Sequence, residues 1–209
     1  IQIASLNTLL TNAQGSITSV NSSKTAFTNA TNARQAAFDP LKKLCTKIVN
    51  ALDATDATDK LVKDAKTINN KIQGKRSGGK PTPPTTGVTE ATEDKTISVS
   101  QQSYDSLIEN FDKLIQLVSS EPTYTPNETE LQVSTLTTNL GNLKTANTAV
   151  INSYTNYSNS RITRNSILYA PTSGLVDMAG DVKKYVKSVY GATSPQFKQV
   201  SKLEFKKVK

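Results

Sequence analysis

The chain has 209 residues and a formal net charge of +8 at pH 7, and it contains no histidine, no tryptophan and one cysteine. Without histidine, the sequence lacks the commonest general base near neutral pH and the commonest transition-metal ligand, and a single cysteine cannot form an intrachain disulfide. No stretch approaches the roughly 18 consecutive apolar residues of a membrane span. We therefore predict a protein that is not an enzyme and has no cofactor, no metal site and no transmembrane segment.

A helical period of apolar residues begins at the first residues of the sequence. Apolar residues recur at intervals of three and four, which predicts one long helix with a buried stripe. Polar residues interrupt this stripe near its middle. The stripe consists of Ile3, Leu6, Leu10, Ala13, Ile17, Val20, Lys24, Phe27, Thr31, Arg34 and Phe38. Because residue 1 already falls inside this period, we expect that residues before Ile1 are missing from the sequence.

Two shorter helices are predicted after the first long one. Asp39 and Pro40 are typical of an N-cap followed by the first helical residue, and the helix predicted at residues 40–52 carries Cys45 on its apolar face. In "DATDATDK", three aspartates recur every three residues, but the glycine and terminal glutamate of an EF-hand loop are absent. We interpret these aspartates as N-terminal helix charges.

A segment rich in Gly, Pro and Thr separates the two halves of the chain. Residues 74–96 show no apolar period, so we predict a linker that is flexible at its glycines and stiffer through "PTPP". The following stretch "SYDSLIENFDKLIQLV" has helical spacing. Beyond it, Thr125, Pro126 and Glu128 form a capping-box pattern, which predicts that the second long helix begins there.

The second long helix repeats the first at a constant offset of 130 residues. Eleven positions are identical at this offset without a gap, including Leu6 and Leu136, Val20 and Val150, and Arg34 and Arg164. The repeated stripe consists of Val133, Leu136, Leu140, Leu143, Asn147, Val150, Tyr154, Tyr157, Arg161, Arg164 and Leu168. We interpret the similarity as an internal duplication.

The end of the chain is basic. Two further short helices are predicted, one within residues 174–190 and one that begins at Ser194 and Pro195. One acid, Glu204, accompanies eight lysines after residue 182: Lys183, Lys184, Lys187, Lys198, Lys202, Lys206, Lys207 and Lys209. This surface suits an acidic partner such as nucleic acid, an anionic surface or an acidic protein, although charge runs commonly serve only solvation.

Arginines interrupt the predicted stripe in both long helices. Three interpretations of Arg34, Arg161 and Arg164 remain open. In the first, the stripe is exposed at these positions and the arginine side chains extend to solvent. In the second, each arginine pairs with a carboxylate on a packed helix and fixes the register of the two helices. In the third, the arginines form a spot that binds an anion.

Several distinctive stretches span most of the chain outside the linker, and they include "TPNETELQVSTLTTNL", "ANTAVINSYTNYSNSRITRNSILY", "DAKTINNKIQGKR" and "GLVDMAGDVKKYVKSVYGATSPQFKQVSKLEF". These stretches resemble a family of duplicated helical-bundle proteins of Bacteroidetes bacteria that has no assigned function. The resemblance implies a bacterial source and a repeated helical unit. It assigns no catalytic residue.

The predicted fold is all-α, with two tandem elongated antiparallel helical bundles that arise from an internal duplication, each with one very long helix. The predicted domains are residues 1–73, which lack a first helix, the linker 74–96, and residues 97–209. We expect a non-enzymatic scaffold or protein-interaction protein, with the cell envelope or a secreted location slightly favoured. The alternative is a protein that binds nucleic acid or another anionic polymer through its basic C-terminal end.

Overall fold

The computed structural model describes residues 2–75 and 102–206, and helices joined by turns make up these ranges, with no strand among them. The all-helical class is confirmed. The described helices are α1 Ile3–Phe38, α2 Leu41–Asp53, α3 Asp59–Gln73, α4 Tyr104–Ser119, a 3-10 turn at Thr129–Leu131, α5 Val133–Tyr169, α6 Leu175–Tyr190 and α7 Pro195–Ser201.

The chain divides into two compact units whose boundaries fall inside α1 and α5. Unit 1 contains Ile1–Thr31 and Val150–Lys209, and unit 2 contains Asn32–Ala149. These units differ from the predicted domains 1–73 and 97–209, because α2 and α3 share one core with α4 and α5. Of the predicted linker 74–96, residues 76–96 lie outside the described residues. The internal duplication stays a prediction.

Unit 2 is built around one hydrophobic core. The apolar residues of α2, α3 and α4 recur at helical spacing, so each helix presents one apolar face to the others. Fully buried side chains come from these three helices and from α5, and they include Ile48, Leu52, Ile72, Phe111, Leu114 and Leu136. Burying a large aliphatic or aromatic side chain of this kind contributes about 1.5–3 kcal/mol.

Caps define the ends of the unit 2 helices. The hydroxyls of Thr58 and Ser103 accept hydrogen bonds from backbone N–H groups in the first turns of α3 and α4. At the other end of α3, Gly74 adopts a left-handed conformation (φ 76°), which glycine adopts without steric cost. The side-chain amide of Gln102 then donates to the carbonyl oxygens of Lys71 and Ile72, at 2.8 and 3.3 Å.

Unit 1 is more sparsely packed. Its segments of α1 and α5 run antiparallel, since Phe27 stacks on Tyr157 at a centroid distance of 6.2 Å and α1 residues 11–19 line one groove with α5 residues 156–167. The buried residues of these segments include Ala13, Val20 and Val150. Among the described residues of α6 and α7 none is buried.

In unit 1, the buried face of α1 differs from the predicted stripe. Ala13 and Val20 are buried as predicted, but Ile3, Leu10 and Ile17 are 77%, 48% and 46% exposed. Ser16 is buried instead, and its hydroxyl donates a hydrogen bond to the carbonyl oxygen of Ala13 at 2.7 Å, so burial leaves this polar group satisfied.

Two predicted helix starts were wrong. The helix predicted at Thr125–Glu128 begins later, with the 3-10 turn and then α5 at Val133. Here Leu131 enters the core and its carbonyl oxygen accepts a hydrogen bond from the buried Tyr124 hydroxyl at 3.0 Å, which fixes a turn in place of a helix. Pro40 lies at the N-cap of α2 and not at its first residue, and no side-chain cap bond is made there. The predicted Ser194 cap of α7 is confirmed by its bond from the Phe197 N–H.

Candidate functional site

Arg34 lies at the centre of a polar network in unit 2. It is carried by the last turns of α1, and its Nη1 donates to the Oδ1 of Asn147 on α5 at 2.9 Å. Its guanidinium carbon lies 3.9 Å from the ring centroid of Tyr104 on α4, within the range of a cation–π contact. The Nε of Arg34 is buried and has no hydrogen-bond partner among the described residues.

An amide joins this arginine to a carboxylate. The side chain of Asn147 is buried, and its Nδ2 donates to the Oδ1 of Asp105 on α4 at 2.7 Å. Phe38 packs edge-to-face on Tyr104 at a centroid distance of 4.8 Å, which covers the network from the side of α1. The charge of Arg34 is therefore balanced through a neutral amide and an aromatic face, and the register of three helices is fixed at this point.

The other two candidate arginines have different surroundings in unit 1. Both Nε and Nη2 of Arg164 donate to the Oδ1 of the neighbouring Asn165, at 3.1 and 2.7 Å, in an exposed contact. Arg161 is exposed, and its guanidinium carbon lies 5.6 Å from the Tyr157 ring. Arg34 and Arg164, which the offset of 130 aligns, are thus held by different chemistry.

The basic C-terminal surface contains six described lysines: Lys183, Lys184, Lys187, Lys198, Lys202 and Lys206. Lys207 and Lys209 lie outside the described residues. Lys184 pairs with Asp181 and Lys206 with Glu204, both at 2.9 Å. The hydrogen bond to Asp181 raises the pKa of Lys184. Lys187 lies 5.9 Å from the Phe197 ring centroid.

Lys183 has a structural role within this surface. Its Nζ donates to the carbonyl oxygens of Ser201 and Leu203 and lies 5.5 Å from the ring centroid of Phe205. These contacts hold the residues after α7 along α6. Lys183 is therefore engaged within the hairpin, whereas the neighbouring Lys184 and Lys187 are exposed.

Exposed aromatic side chains lie among these lysines, and the sequence analysis did not predict them. Tyr185, Tyr190 and Phe205 are all about half exposed or more in the same helical hairpin. The sequence signal for them is the alternation of tyrosines with lysines in "KKYVKSVY".

Cys45 and two of the three aspartates, Asp53 and Asp59, have structural explanations. Cys45 is fully buried in the core, and burial raises the pKa of its thiol to about 12, so that the reactive thiolate is disfavoured. Asp53 pairs with Lys66 at 3.0 Å, and Asp59 lies in the first turn of α3. Within residues 2–75 and 102–206, no three His, Cys, Asp or Glu residues lie close enough together to hold a metal ion.

An open groove lies in each unit. The groove of unit 1, of about 740 Å³, is lined by small polar residues of α1 and α5 such as Asn12, Gly15 and Asn159. The groove of unit 2, of about 470 Å³, is more apolar and is bordered by the ion pair between Lys47 and Glu130 at 2.7 Å. None of the described helices is both long enough and apolar enough to cross a membrane.

The described residues form an all-α fold with a polar interhelical network around Arg34, the exposed Ile3, Leu10 and Ile17 of α1, and a basic hairpin that carries aromatic side chains. Comparisons of the chain with family models, with curated proteins and with solved structures found no match. The resemblance to a Bacteroidetes family stays a prediction.

Proposed function

We propose that this protein is a non-enzymatic helical scaffold that binds a protein partner along the side of α1. The observation that carries this proposal is the exposed apolar column of Ile3, Leu10 and Ile17. Residues seven apart lie on the same face of an α-helix, and an apolar column with this period is typical of a helix–helix seam. The column lies in unit 1, beside the buried residues Ala13 and Val20.

The corresponding column of α5 supports a helix as the occupant. Leu140 and Asn147, also seven residues apart, are buried in unit 2, and Asn147 is bonded there to Asp105 of α4. A helix with an apolar face thus covers this column in α5, whereas the column of α1 is open. An amphipathic partner helix would bury these side chains in the same way.

Binding of the partner helix to α1 should depend little on charge. Residues 1–23 contain no Asp, Glu, Lys or Arg, so the part of α1 that carries the column offers only apolar and neutral polar side chains. Binding there should change little between about 50 and 200 mM salt, because no phosphate or ion-pair contact is involved.

The test uses a labelled synthetic peptide with the sequence of residues 102–120, which contains α4, and the full chain. We expect saturable binding by fluorescence anisotropy, and a loss of at least tenfold in affinity for a variant with Ile3→Gln, Leu10→Gln and Ile17→Gln. The matched control is Ala4→Gln, Thr11→Gln and Thr18→Gln, three exposed positions of identical spacing on the adjacent column. Equal affinity of the two variants, or no binding of the peptide, would contradict the proposal.

The alternative function is binding of nucleic acid or another anionic polymer through the basic C-terminal end. The observation that favours it is the group of six described lysines against the single acid Glu204 beyond residue 182. A labelled DNA duplex and a neutral polymer, each at about 50 and about 200 mM salt, test it. Binding of the duplex alone that weakens by orders of magnitude with salt would support this function, and no binding at low salt would exclude it.

A further inference from the structure

The hairpin of α6, α7 and the residues up to Lys206 combines two kinds of surface. On α6, Met178, Val182, Tyr185 and Val189 recur at intervals of four, three and four residues, so they lie along one face of the helix. Toward the end of α6 this face becomes exposed, since Tyr185 and Val189 are 57% and 55% exposed. Lys183, Lys184 and Lys187 lie on the same helix.

The residues after α7 extend this exposed apolar surface. Leu203 and Phe205 are 55% and 45% exposed, although Lys183 holds their backbone back along α6. The hairpin therefore presents several large apolar side chains to solvent among its lysines. Nothing in phosphate binding requires an exposed valine or leucine, so lysine chemistry alone does not account for this surface.

We propose that this C-terminal hairpin binds the surface of an anionic lipid bilayer. Lysine side chains can place their charged ends among lipid phosphates while their alkyl stems cover apolar surface. Tyrosine is favoured at the boundary between headgroups and acyl chains, and Val189, Leu203 and Phe205 can enter the apolar side of that boundary. A polyanion such as DNA would match only the charge, whereas a bilayer matches both the charge and the apolar side chains. This inference does not depend on the proposed role of α1.

Co-sedimentation of the full chain with lipid vesicles tests the inference. Neutral vesicles contain phosphatidylcholine, and anionic vesicles contain phosphatidylcholine and phosphatidylglycerol in an approximate ratio of 3:1. We expect the chain to bind the anionic vesicles, to bind the neutral vesicles at least tenfold more weakly, and to lose affinity as salt rises from about 50 to about 200 mM.

A lysine variant separates the hairpin from the general positive charge of the chain. The changes Lys184→Gln, Lys187→Gln and Lys198→Gln leave the structural Lys183 in place. They should weaken binding to anionic vesicles roughly 100-fold, since each lysine near such a surface contributes about fivefold in affinity. The matched control, Lys43→Gln, Lys60→Gln and Lys63→Gln, removes the same charge from exposed positions of unit 2 and should change binding by less than about threefold.

An apolar variant separates the bilayer from a polyanion. Tyr185→Ser with Val189→Ser should weaken vesicle binding by at least tenfold, because two side chains no longer enter the interface. It should leave binding to a labelled DNA duplex unchanged. Ile151→Ser with Ile162→Ser, which alters exposed apolar residues of α5, is the control and should leave vesicle binding unchanged. Circular dichroism checks that each variant remains helical.

Three results would overturn the inference. Equal binding to neutral and anionic vesicles would show that charge plays no part. An unchanged vesicle affinity in the variant at Tyr185 and Val189 would remove the apolar contribution. Tight duplex binding without vesicle binding would assign the surface to nucleic acid.

Discussion

Two groups hold the guanidinium of Arg34, and a lysine cannot satisfy both of them. It lies over the Tyr104 ring at 3.9 Å and donates to Asn147 at 2.9 Å. A lysine at this position keeps the charge but has a compact ammonium in place of a planar, multi-donor group. The position therefore requires the shape of arginine as well as its charge.

We expect Arg34→Lys to lower the free energy of unfolding by about 1–2 kcal/mol, because the stacking contact and the hydrogen bond to a buried amide are both weakened. Urea denaturation measures this change. Arg164→Lys, at the aligned position of α5, is the control and should change stability by less than about 0.5 kcal/mol, since its contact with Asn165 is exposed. Equal losses for the two variants would contradict a specific role for Arg34.

Gly174 and Gly180 should respond with opposite signs to the same substitution. A Cβ atom at Gly174 would lie 2.6 Å from the backbone N and O of Ala170, whereas a Cβ at Gly180 inside α6 meets nothing within 4 Å. We expect Gly174→Ala to lower the unfolding temperature of α6, since backbone must shift to accept the new atom. Gly180→Ala should raise it, because alanine stabilises a helix interior by about 0.5–1 kcal/mol relative to glycine. Thermal unfolding followed by circular dichroism distinguishes the two results.

At the scale of single elements, helix existence was predictable and helix contacts were not. The apolar period correctly predicted both long helices and the short ones. The start of α5 was misplaced because Tyr124 and Leu131 form a tertiary contact that competes with a local capping pattern. The buried face of α1 differs from the predicted stripe because it includes Ser16, which a hydropathy pattern assigns to solvent.

The elements also differ in how firmly they are held. Helices α2, α3 and α4 each contribute several buried residues to one core, whereas α6 and α7 have none among those described. We expect amide hydrogens of α6 and α7 to exchange at least tenfold faster than those of α2–α4, because few buried contacts oppose local opening. Hydrogen exchange followed by mass spectrometry measures this difference, and uniform protection across all five helices would contradict it.

At the scale of the molecule, stability should fall in alkali. Burial raises the pKa of Cys45 to about 12, and burial with the nearby charge of Glu128 raises that of Tyr124 to about 12. Unfolded cysteine and tyrosine ionise near about 8.5 and 10. The unfolded chain therefore loses protons that the folded chain keeps, so this stability is complete below about pH 8.5 and is lost as the pH rises toward 12.

Between pH 8 and pH 10 we expect a loss of about 2 kcal/mol in the free energy of unfolding, mainly from Cys45. Urea denaturation at a series of pH values measures it. Cys45→Ala creates a small cavity and is less stable throughout, but it should show a nearly flat profile over this range. A parallel decline in both proteins would assign the pH dependence to other groups.

The arrangement of the two units was not predictable from the sequence repeat. The offset of 130 suggested two equal halves in tandem, but the apolar faces of α2, α3 and α4 cover one another and recruit parts of both long helices. Shape complementarity between the folded helices decides which apolar faces pair. The spacing of apolar residues along the sequence does not contain this information. The arginines show the same limit, because their alignment gave no indication that Tyr104 and Asp105 lie only beside Arg34.

Unit 2 is a single uninterrupted stretch of chain, whereas unit 1 consists of the stretch before it and the stretch after it. During synthesis, Asn32–Ala149 can therefore collapse and order while much of α5 and all of α6 are still to be translated. The bond between Arg34 and Asn147, 113 positions apart, then closes a loop whose entropic cost is about 4 kcal/mol. The helix pair of unit 1 can form only after residues from Val150 onward have been translated, so unit 1 should become ordered later than unit 2.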